Sequence, residues 1–416
     1  MGKFKRGSLN PPAHPPVAVD PPPASCLIDR VAYIANVTNA STAWCNTTDN
    51  TDNHGVTIQV TFVVGDPPHV SYLCAHCIGS QFAYEPFLVA TEGRLALLAI
   101  DIGWACSGRG SKHYIYYAGD ASRGIDPSLN RLPDPDPVPQ SPHRFYDGYH
   151  LGLLMRPQTP RRRRRMSPLS SLGSSAKRNH QQPELQQGAG GGFEFNTNKA
   201  ISMCFVDLEQ GIIQCDVLDG TPGLRYYPMP PPLEPSPVMV HSYPQCSRDV
   251  AIIDGGRRIK CVQLHLDFTT DWEDSNWGDR TVPSYHGWKA ATWSMYTADP
   301  SSGWRQDSEV VHASEIGSTI DPALLQLPPD EFDGDQGPLT FETLYTSLPV
   351  ISLHDDGKDV VYFMTKVQSY HRAGLVIAVD MSNKTAQQVT QFLPGKFSER
   401  AIVHSRISKH LQVASS

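Results

Sequence analysis

Residues 350–366 read VISLHDDGKDVVYFMTK, two apolar runs separated by a polar turn. The Asp356-Gly357 pair in this turn favours a tight reversal, because glycine readily adopts the positive φ that such a turn needs. We therefore predict a β-hairpin with strands over 350–353 and 360–366. Similar short runs recur along most of the chain.

One of these runs, VTIQVTF at residues 56–62, has an apolar residue at every second position, the pattern of a half-buried strand. Counting all such runs predicts roughly seventeen strands, whereas helical spacing is tenable only around 322–327 and 402–413. The sequence therefore predicts an all-β protein.

Two hairpins resemble each other at a distance in the sequence. An apolar strand ends in Val-Asp at Asp207 and again at Asp380, a polar turn follows, and a second strand leads to Pro228 or Pro394. The separation is roughly four times 43 residues, close to the repeat of a propeller blade. We predict a β-propeller-like radial array of four-stranded antiparallel sheets, with a pair of packed sheets, a β-sandwich, as the alternative.

Composition narrows the class of protein further. The 416 residues include 35 basic and 42 acidic side chains, a net charge of −7, which disfavours a dedicated nucleic-acid binder. The count of 32 glycines and 36 prolines favours short strands with many turns over a coiled coil. The N-terminus lacks the apolar core of a secretory signal, and no apolar stretch reaches the roughly 20 residues of a membrane span. We expect a nuclear or cytoplasmic protein that is not secreted and does not bind membranes.

Changes in composition divide the chain into five segments. We expect a disordered Pro-rich tail over 1–24, an N-terminal β segment over 25–132, and a mostly disordered basic insertion of low complexity over 133–192. The main β body then covers 193–400, and 401–416 forms a tail or a short helix.

The nine cysteines include one CxxC motif, Cys74-Ala75-His76-Cys77. Tetrahedral zinc needs four ligands, and no second pair of ligands follows at short range. On a strand, Cys74 and Cys77 would point to opposite faces, which suits packing better than chelation. We predict reduced cysteines without metal; a metal site and a redox pair are the alternatives.

Acidic and aromatic clusters receive a similar interpretation. Paired carboxylates in 267–279 and 330–335 could serve acid–base chemistry or bind a cation, but their spacing fits no calcium loop, and we expect solvated surface. Trp288 and Trp293 would face opposite sides of one strand, so that one is core and the other is core or part of a binding face. No Gly-x-Ser-x-Gly, His-Glu-x-x-His or phosphate-binding loop occurs. We predict no catalytic, metal-binding or cofactor-binding residues.

A basic cluster lies inside the insertion. It has the form of a two-part nuclear localisation signal, and its members are Arg161, Arg162, Arg163, Arg164, Arg165, Lys177 and Arg178. Binding of RNA or another anion through Arg161–Arg165 and an inert solvated linker are the alternatives. Ser167, followed by proline, is a candidate phosphorylation site whose negative charge would weaken the basic cluster.

Four stretches resemble a plant family of unknown function, domain of unknown function 1618, which is expanded in grasses. They are 67–79 (PPHVSYLCAHCIG), 204–232 (CFVDLEQGIIQCDVLDGTPGLRYYPMPPP), 288–304 and 348–379. The resemblance covers residues 25 to about 400, with the basic insertion as a departure, and it implies no activity or catalytic residues. The hairpins also resemble those of F-box-associated propeller domains; no F-box-like helical segment precedes them, so a ubiquitin-ligase role is not implied.

These observations favour a non-catalytic protein-binding or scaffold domain with an unknown protein partner. The alternative is a hydrolase-type enzyme with carboxylates near a central channel, since propeller enzymes often lack linear motifs.

Overall fold

The computed structural model describes residues 6–12, 21–48, 55–103, 112–133, 156–157, 201–216, 224–234, 244–273, 280–317, 341–354, 358–366, 374–392 and 402–411. Strands of the first half are β1 (Cys26–Ile34), β2 (Ala43–Thr48), β3 (Gly55–Val63), β4 (Val70–Ile78), β5 (Phe87–Glu92), β6 (Leu95–Ile100), β7 (Lys112–Tyr117), β8 (Ser128–Arg131) and β9 (Arg156–Pro157).

Strands of the second half are β10 (Ile201–Asp207), β11 (Gly211–Asp216), β12 (Leu224–Pro228), β13 (Arg248–Ile253), β14 (Arg258–Glu273), β15 (Arg280–Tyr296), β16 (Arg305–Gln306), β17 (Val311–His312), β18 (Tyr345–Ile351), β19 (Val360–Lys366), β20 (Gly374–Asp380), β21 (Thr385–Phe392) and β22 (Ile402–Ser405). Helix α1 is Ala313–Gly317, and 3-10 helices lie at Arg6–Leu9, Ala121–Arg123, Pro244–Cys246, Asp254–Gly256, Pro300–Ser302, Phe341–Thr343 and Ile407–His410.

The first sheet has nine strands in the order β2-β3-β4-β1-β5-β6-β7-β8, with β22 also paired to β1. Strand β1 runs parallel to β4 and antiparallel to β5 and β22. The sheet curls into a nearly closed barrel, since β2 approaches β8 and the Tyr116 hydroxyl donates to the Ser41 carbonyl at 2.7 Å. Its interior is apolar and includes Ile58, Leu98 and Tyr116.

The other three sheets are antiparallel and follow one another along the chain. The second has the order β12-β11-β10-β9, the third β13-β14-β15-β16 with β17 on β15, and the fourth β18-β19-β20-β21.

The second sheet packs on the third, the third on the fourth, and the fourth on the first. Tyr227 of the second sheet contacts the apolar cluster around Met295 of the third. Trp288 of the third sheet lies 4.9 Å, ring centroid to ring centroid, from Phe363 of the fourth. The opposite face of the fourth sheet packs on Leu27 of the first sheet. Strands β18, β19 and β20 are buried along their whole lengths because both faces of the fourth sheet are covered.

The all-β class is confirmed, with one short α-helix among the described residues. Two of the four sheets have the four strands predicted for each sheet, the third has five, and the first departs from the prediction with nine strands and one parallel pair. Four sheets also exceed the pair of a β-sandwich. The closed radial arrangement of a propeller stays a prediction.

The two similar hairpins share one turn geometry. Asp207 Oδ1 accepts hydrogen bonds from the amides of Glu209 and Gln210. Asp380 Oδ1 accepts in the same way from the amides of the residues two and three positions further on. The aspartate at each strand end therefore stabilises the reversal locally.

The described parts of both termini are ordered: the C-terminal segment holds a strand and the short 3-10 helix Ile407–His410, and the N-terminal segment differs from the expected disordered tail. The segment 402–413, for which helical spacing was tenable, begins with strand β22, because pairing with residues 26–29 satisfies the free edge of β1. Near the N-terminus, the buried Ser8 donates to Glu85 Oε1 at 2.8 Å and holds a 3-10 helix against the first sheet. No helix in the described part of the chain is long and apolar enough to cross a membrane.

Candidate functional site

Polar side chains cap the edge of β18 that faces away from β19. The Ser352 amide donates to the Val360 carbonyl of β19. Because hydrogen-bonding directions alternate along a strand, the amide and carbonyl of the neighbouring Ile351 point away from β19. The Ile351 amide donates to Asp249 Oδ2 of β13 at 2.9 Å. His404 Nδ1 of β22 lies 3.1 Å from the Ile351 carbonyl oxygen and 3.0 Å from the amide nitrogen of Leu353. Side chains from two other sheets thus replace a neighbouring strand.

Arg30 of β1 caps β5 in the same manner. Its Nε donates to the Leu88 carbonyl at 2.9 Å and its Nη2 donates to the Val89 carbonyl. The guanidinium carbon also lies 4.8 Å from the centroid of the Phe87 ring. Two nitrogens of the guanidinium group therefore donate to two backbone carbonyl oxygens of β5.

Burial shifts the pKa values of these capping groups. It raises the pKa of Asp249 to about 6, although the amides of Ile351 and Val250 and the charge of Arg30 oppose the shift. It lowers the pKa of Arg30 to about 10 and that of His404 to about 3. At neutral pH, His404 is a neutral ring and Asp249 is a carboxylate bonded to backbone amides. Asp249 and His404 join the fourth sheet to the third and the first, whereas Arg30 links two strands of the first sheet.

Glu92, at the end of β5, has a pKa near neutrality. Burial raises the pKa of this half-buried carboxyl to about 7, against the charges of Arg406 and Lys409. Arg406 in turn donates to the Leu353 carbonyl at 3.0 Å. A carboxyl with a pKa near 7 can act as a general acid or base if a substrate reaches it.

A second charged cluster joins the third and fourth sheets. Lys260 Nζ lies 2.5 Å from Asp359 Oδ1 and 3.4 Å from Asp307 Oδ2. The Thr292 hydroxyl donates to the Asp359 carboxylate and the Ser294 hydroxyl to that of Asp307. Each carboxylate therefore contacts both the ammonium group and a hydroxyl donor. This arrangement suits a structural role at the contact between the two sheets.

The outer surface of the second sheet has a different character. We call Ile213, Leu224 and Tyr226 the exposed face; they stand opposite the buried side of this sheet. Leu224 is 71% exposed and Tyr226 is 60% exposed. Ile213 and Tyr226 are paired in register on β11 and β12, and Leu224 follows two residues away on the same side. The exposed face is a contiguous apolar patch.

Tyr226 is held in place at this surface. Its hydroxyl donates to the Gln210 carbonyl at 2.9 Å, and its ring lies over Gly211. A Cβ at Gly211 would lie 2.6 Å from the Tyr226 ring and 2.5 Å from the Tyr227 carbonyl oxygen. Glycine at this position therefore allows the ring to pack flat on the strand.

Most site residues suggested by the sequence lie outside the described residues. This applies to Arg161, Arg162, Arg163, Arg164, Arg165, Ser167, Lys177 and Arg178, and to the acidic run 330–335. In the other acidic run, Asp267 lies 3.7 Å from Lys289 and 3.5 Å from His265, and these partly exposed contacts lie on β14 and β15.

The CxxC motif lies on β4 as a strand. Cys74 is buried beside Tyr33 and Tyr72, whereas Cys77 packs against the interior of the first sheet, so the two side chains take opposite faces as expected. Among the described residues, no group of three or more His, Cys, Asp or Glu side chains is placed to hold a metal ion.

Both tryptophans are core, which is one of the two alternatives that the sequence left open. Trp288 is buried, and Trp293 is buried at 7% exposure, on the side of β15 from which Met295 contacts the second sheet. Neither forms a binding face. The largely exposed apolar residues Leu224 and Tyr226 lie in the short run LRYYP, in which both alternating sets contain apolar side chains. The sequence alone could not show which set is covered.

The family comparison supports the resemblance inferred from the motifs. A family described as a protein of unknown function (DUF1618) matches residues 205–362, from β10 to β19. Comparisons with curated proteins and with solved structures found no match.

Proposed function

We propose that this chain, whose residues 205–362 belong to the DUF1618 family, is a non-catalytic protein-binding module that contacts its partner through the exposed face of the second sheet. The observation that supports this proposal is the pair Leu224 and Tyr226, which are largely exposed on adjacent positions of one strand face. Contiguous exposed apolar patches commonly mark interaction sites.

The fixed orientation of Tyr226 strengthens the argument. Tyrosine is enriched among the residues that dominate binding energy at protein interfaces. Its hydrogen bond to Gln210 and its contact with Gly211 already restrict the ring before a partner arrives. A restricted side chain loses less conformational entropy on binding than a free one.

The capping groups Arg30, Asp249 and His404 support binding over catalysis. Arg30 and Asp249 use their polar atoms on backbone groups of neighbouring strands, and His404 is buried. Catalytic groups must instead lie within hydrogen-bond reach of a substrate.

The test is quantitative affinity capture from native tissue extract with three full-length chains. We expect the wild type to retain a stoichiometric partner protein. The double variant Leu224→Ser/Tyr226→Ser should capture at least about tenfold less of it, as for loss of a central contact. Tyr296→Ser is the matched control, because Tyr296 is 51% exposed but lies on the third sheet. Equal capture by wild type and double variant would contradict the proposal.

A hydrolase-type enzyme is the second candidate function, favoured by the pKa of about 7 at Glu92. A panel of ester, phosphoester and glycoside substrates tests it. Turnover that disappears in Glu92→Gln, while the variant keeps the wild-type unfolding transition, would favour the enzyme over the binding module.

We also propose that the chain is a plant protein, in line with the family that its motifs resemble, and that its basic cluster directs it to the nucleus. The spacing of Arg161–Arg165 and Lys177-Arg178 supports the proposal of nuclear import.

A further inference from the structure

Strand β12 forms an open edge of the second sheet. It pairs with β11 on one side, and no strand among the described residues pairs with its other side. The Met229 amide donates to the Gln210 carbonyl, which fixes the alternation of hydrogen-bonding directions along the pair. Tyr227 and Arg225 therefore direct their backbone groups toward β11, and Leu224 and Tyr226 direct theirs toward the open edge.

The carbonyl of Pro228 is the next one that this alternation directs away from β11. It accepts a hydrogen bond from Trp304 Nε1 at 2.6 Å, so this end of the edge is occupied. The amide and carbonyl groups of Leu224 and Tyr226 have no hydrogen-bond partner among the described residues. Unpaired donors and acceptors in a row are a template for another strand.

Other edge strands are protected in ways that β12 is not. Strand β21 presents exposed polar residues such as Gln387 and Gln388 at the edge of the fourth sheet. Strand β2 of the first sheet approaches β8. The open edge of β12 instead adjoins the most exposed apolar side chains of the exposed face.

We propose that the partner binds by strand addition: an extended peptide segment, with an acidic residue between two apolar ones, pairs with the open edge of β12. This inference rests on the proposed function and specifies its partner. Two backbone groups each from Leu224 and Tyr226 supply the main-chain hydrogen bonds, and the apolar residues of the peptide extend the exposed face. Arg225, exposed and without an ion pair to any described residue, lies opposite the acidic residue.

Hydrogen exchange of the full chain tests the edge directly. In the free protein, we expect the amides of Leu224 and Tyr226 to exchange fast and those of Arg225 and Tyr227 to exchange slowly, because only the latter pair with β11. Slow exchange of Leu224 and Tyr226 in the free chain would mean that the chain covers its own edge, and would overturn the proposal.

The probe is the acetylated and amidated peptide Ser-Ile-Glu-Ile-Ser, whose Ile-Glu-Ile core matches residues 224–226 in antiparallel register. At saturation it should slow exchange of the Leu224 and Tyr226 amides at least about tenfold. The same peptide N-methylated at both isoleucines is the control; it keeps the side chains but loses two amide donors, and should not bind. Absence of protection, or equal protection by both peptides, would overturn strand addition.

A charge exchange tests the acidic residue. Arg225→Glu should weaken binding of Ser-Ile-Glu-Ile-Ser roughly two- to fivefold. It should strengthen binding of Ser-Ile-Lys-Ile-Ser by a similar factor, as for a cross-strand charge pair. An unchanged preference would remove the acidic residue from the proposal. If affinity capture depends on Leu224 and Tyr226 but the peptide gives no protection, the binding module stands and strand addition falls.

Discussion

Lys260 Nζ of β14 lies 2.5 Å from Asp359 Oδ1, the residue that precedes β19, and this ion pair joins the third and fourth sheets. Both side chains are largely removed from solvent, at 7% and 10% exposure. An ion pair in such a place contributes little net stability when intact, but removal of one partner leaves a buried charge uncompensated. The contact therefore fixes how the two sheets are aligned.

We expect Lys260→Met to lower the free energy of unfolding by about 3–5 kcal/mol, because the Asp359 and Asp307 carboxylates lose their shared cation. Denaturant unfolding measures the change. Lys260→Met/Asp359→Asn should recover part of the loss. Lys384→Met is the control, since Lys384 pairs with Glu309 and Glu315 at the surface and its removal should have a much smaller effect. Equal effects of the two lysine variants would contradict the role of Lys260.

Stability should fall in acid through His404. Its folded-state pKa of about 3 lies below the ordinary value of 6.5, so only the unfolded chain binds a proton between these values. The contribution of His404 is complete above pH 6.5 and decreases as pH falls, by up to about 1.4 kcal/mol per pH unit. We expect His404→Gln to flatten the pH dependence of unfolding between about pH 6.5 and pH 4. Identical slopes in the two proteins would show that His404 is not buried as a neutral ring.

Gly211→Ala should destabilise the second sheet by about 1–3 kcal/mol, because the new methyl group would overlap the Tyr227 carbonyl oxygen and the Tyr226 ring. Thermal and denaturant unfolding measure the loss. Gly55→Ala is the matched control, since Gly55 also begins a strand but nothing lies within 4 Å of its added Cβ. A cost at Gly55 as large as that at Gly211 would remove the steric explanation.

Replacement of Arg161–Arg165 by alanine should reduce nuclear accumulation of a fluorescent fusion, because an import receptor reads several basic side chains together. The comparison is with Ser167→Asp, whose negative charge next to the arginines should give a weaker reduction. Unchanged nuclear signal in the alanine variant would end the import proposal.

The sequence by itself determined the features that depend on neighbouring residues. Alternation at residues 56–62 predicted β3, because the side chains of a strand point to its two faces in turn. Asp207 and Asp380 indicated two similar turns, since an aspartate at a strand end can accept hydrogen bonds from the amides two and three positions further on. The opposite orientations of Cys74 and Cys77 followed from the same alternation.

Only the tertiary structure decided which faces are covered and which edges remain open. Trp293 is buried although it lies on the face of β15 opposite Trp288, and Ile402 belongs to a strand because β1 offers a partner from the other end of the chain. In the run LRYYP, Tyr227 is buried and Tyr226 is exposed, although they are adjacent and chemically identical. Local sequence cannot distinguish them, because burial depends on residues that approach from elsewhere in the chain, and the candidate binding surface exists only through that difference.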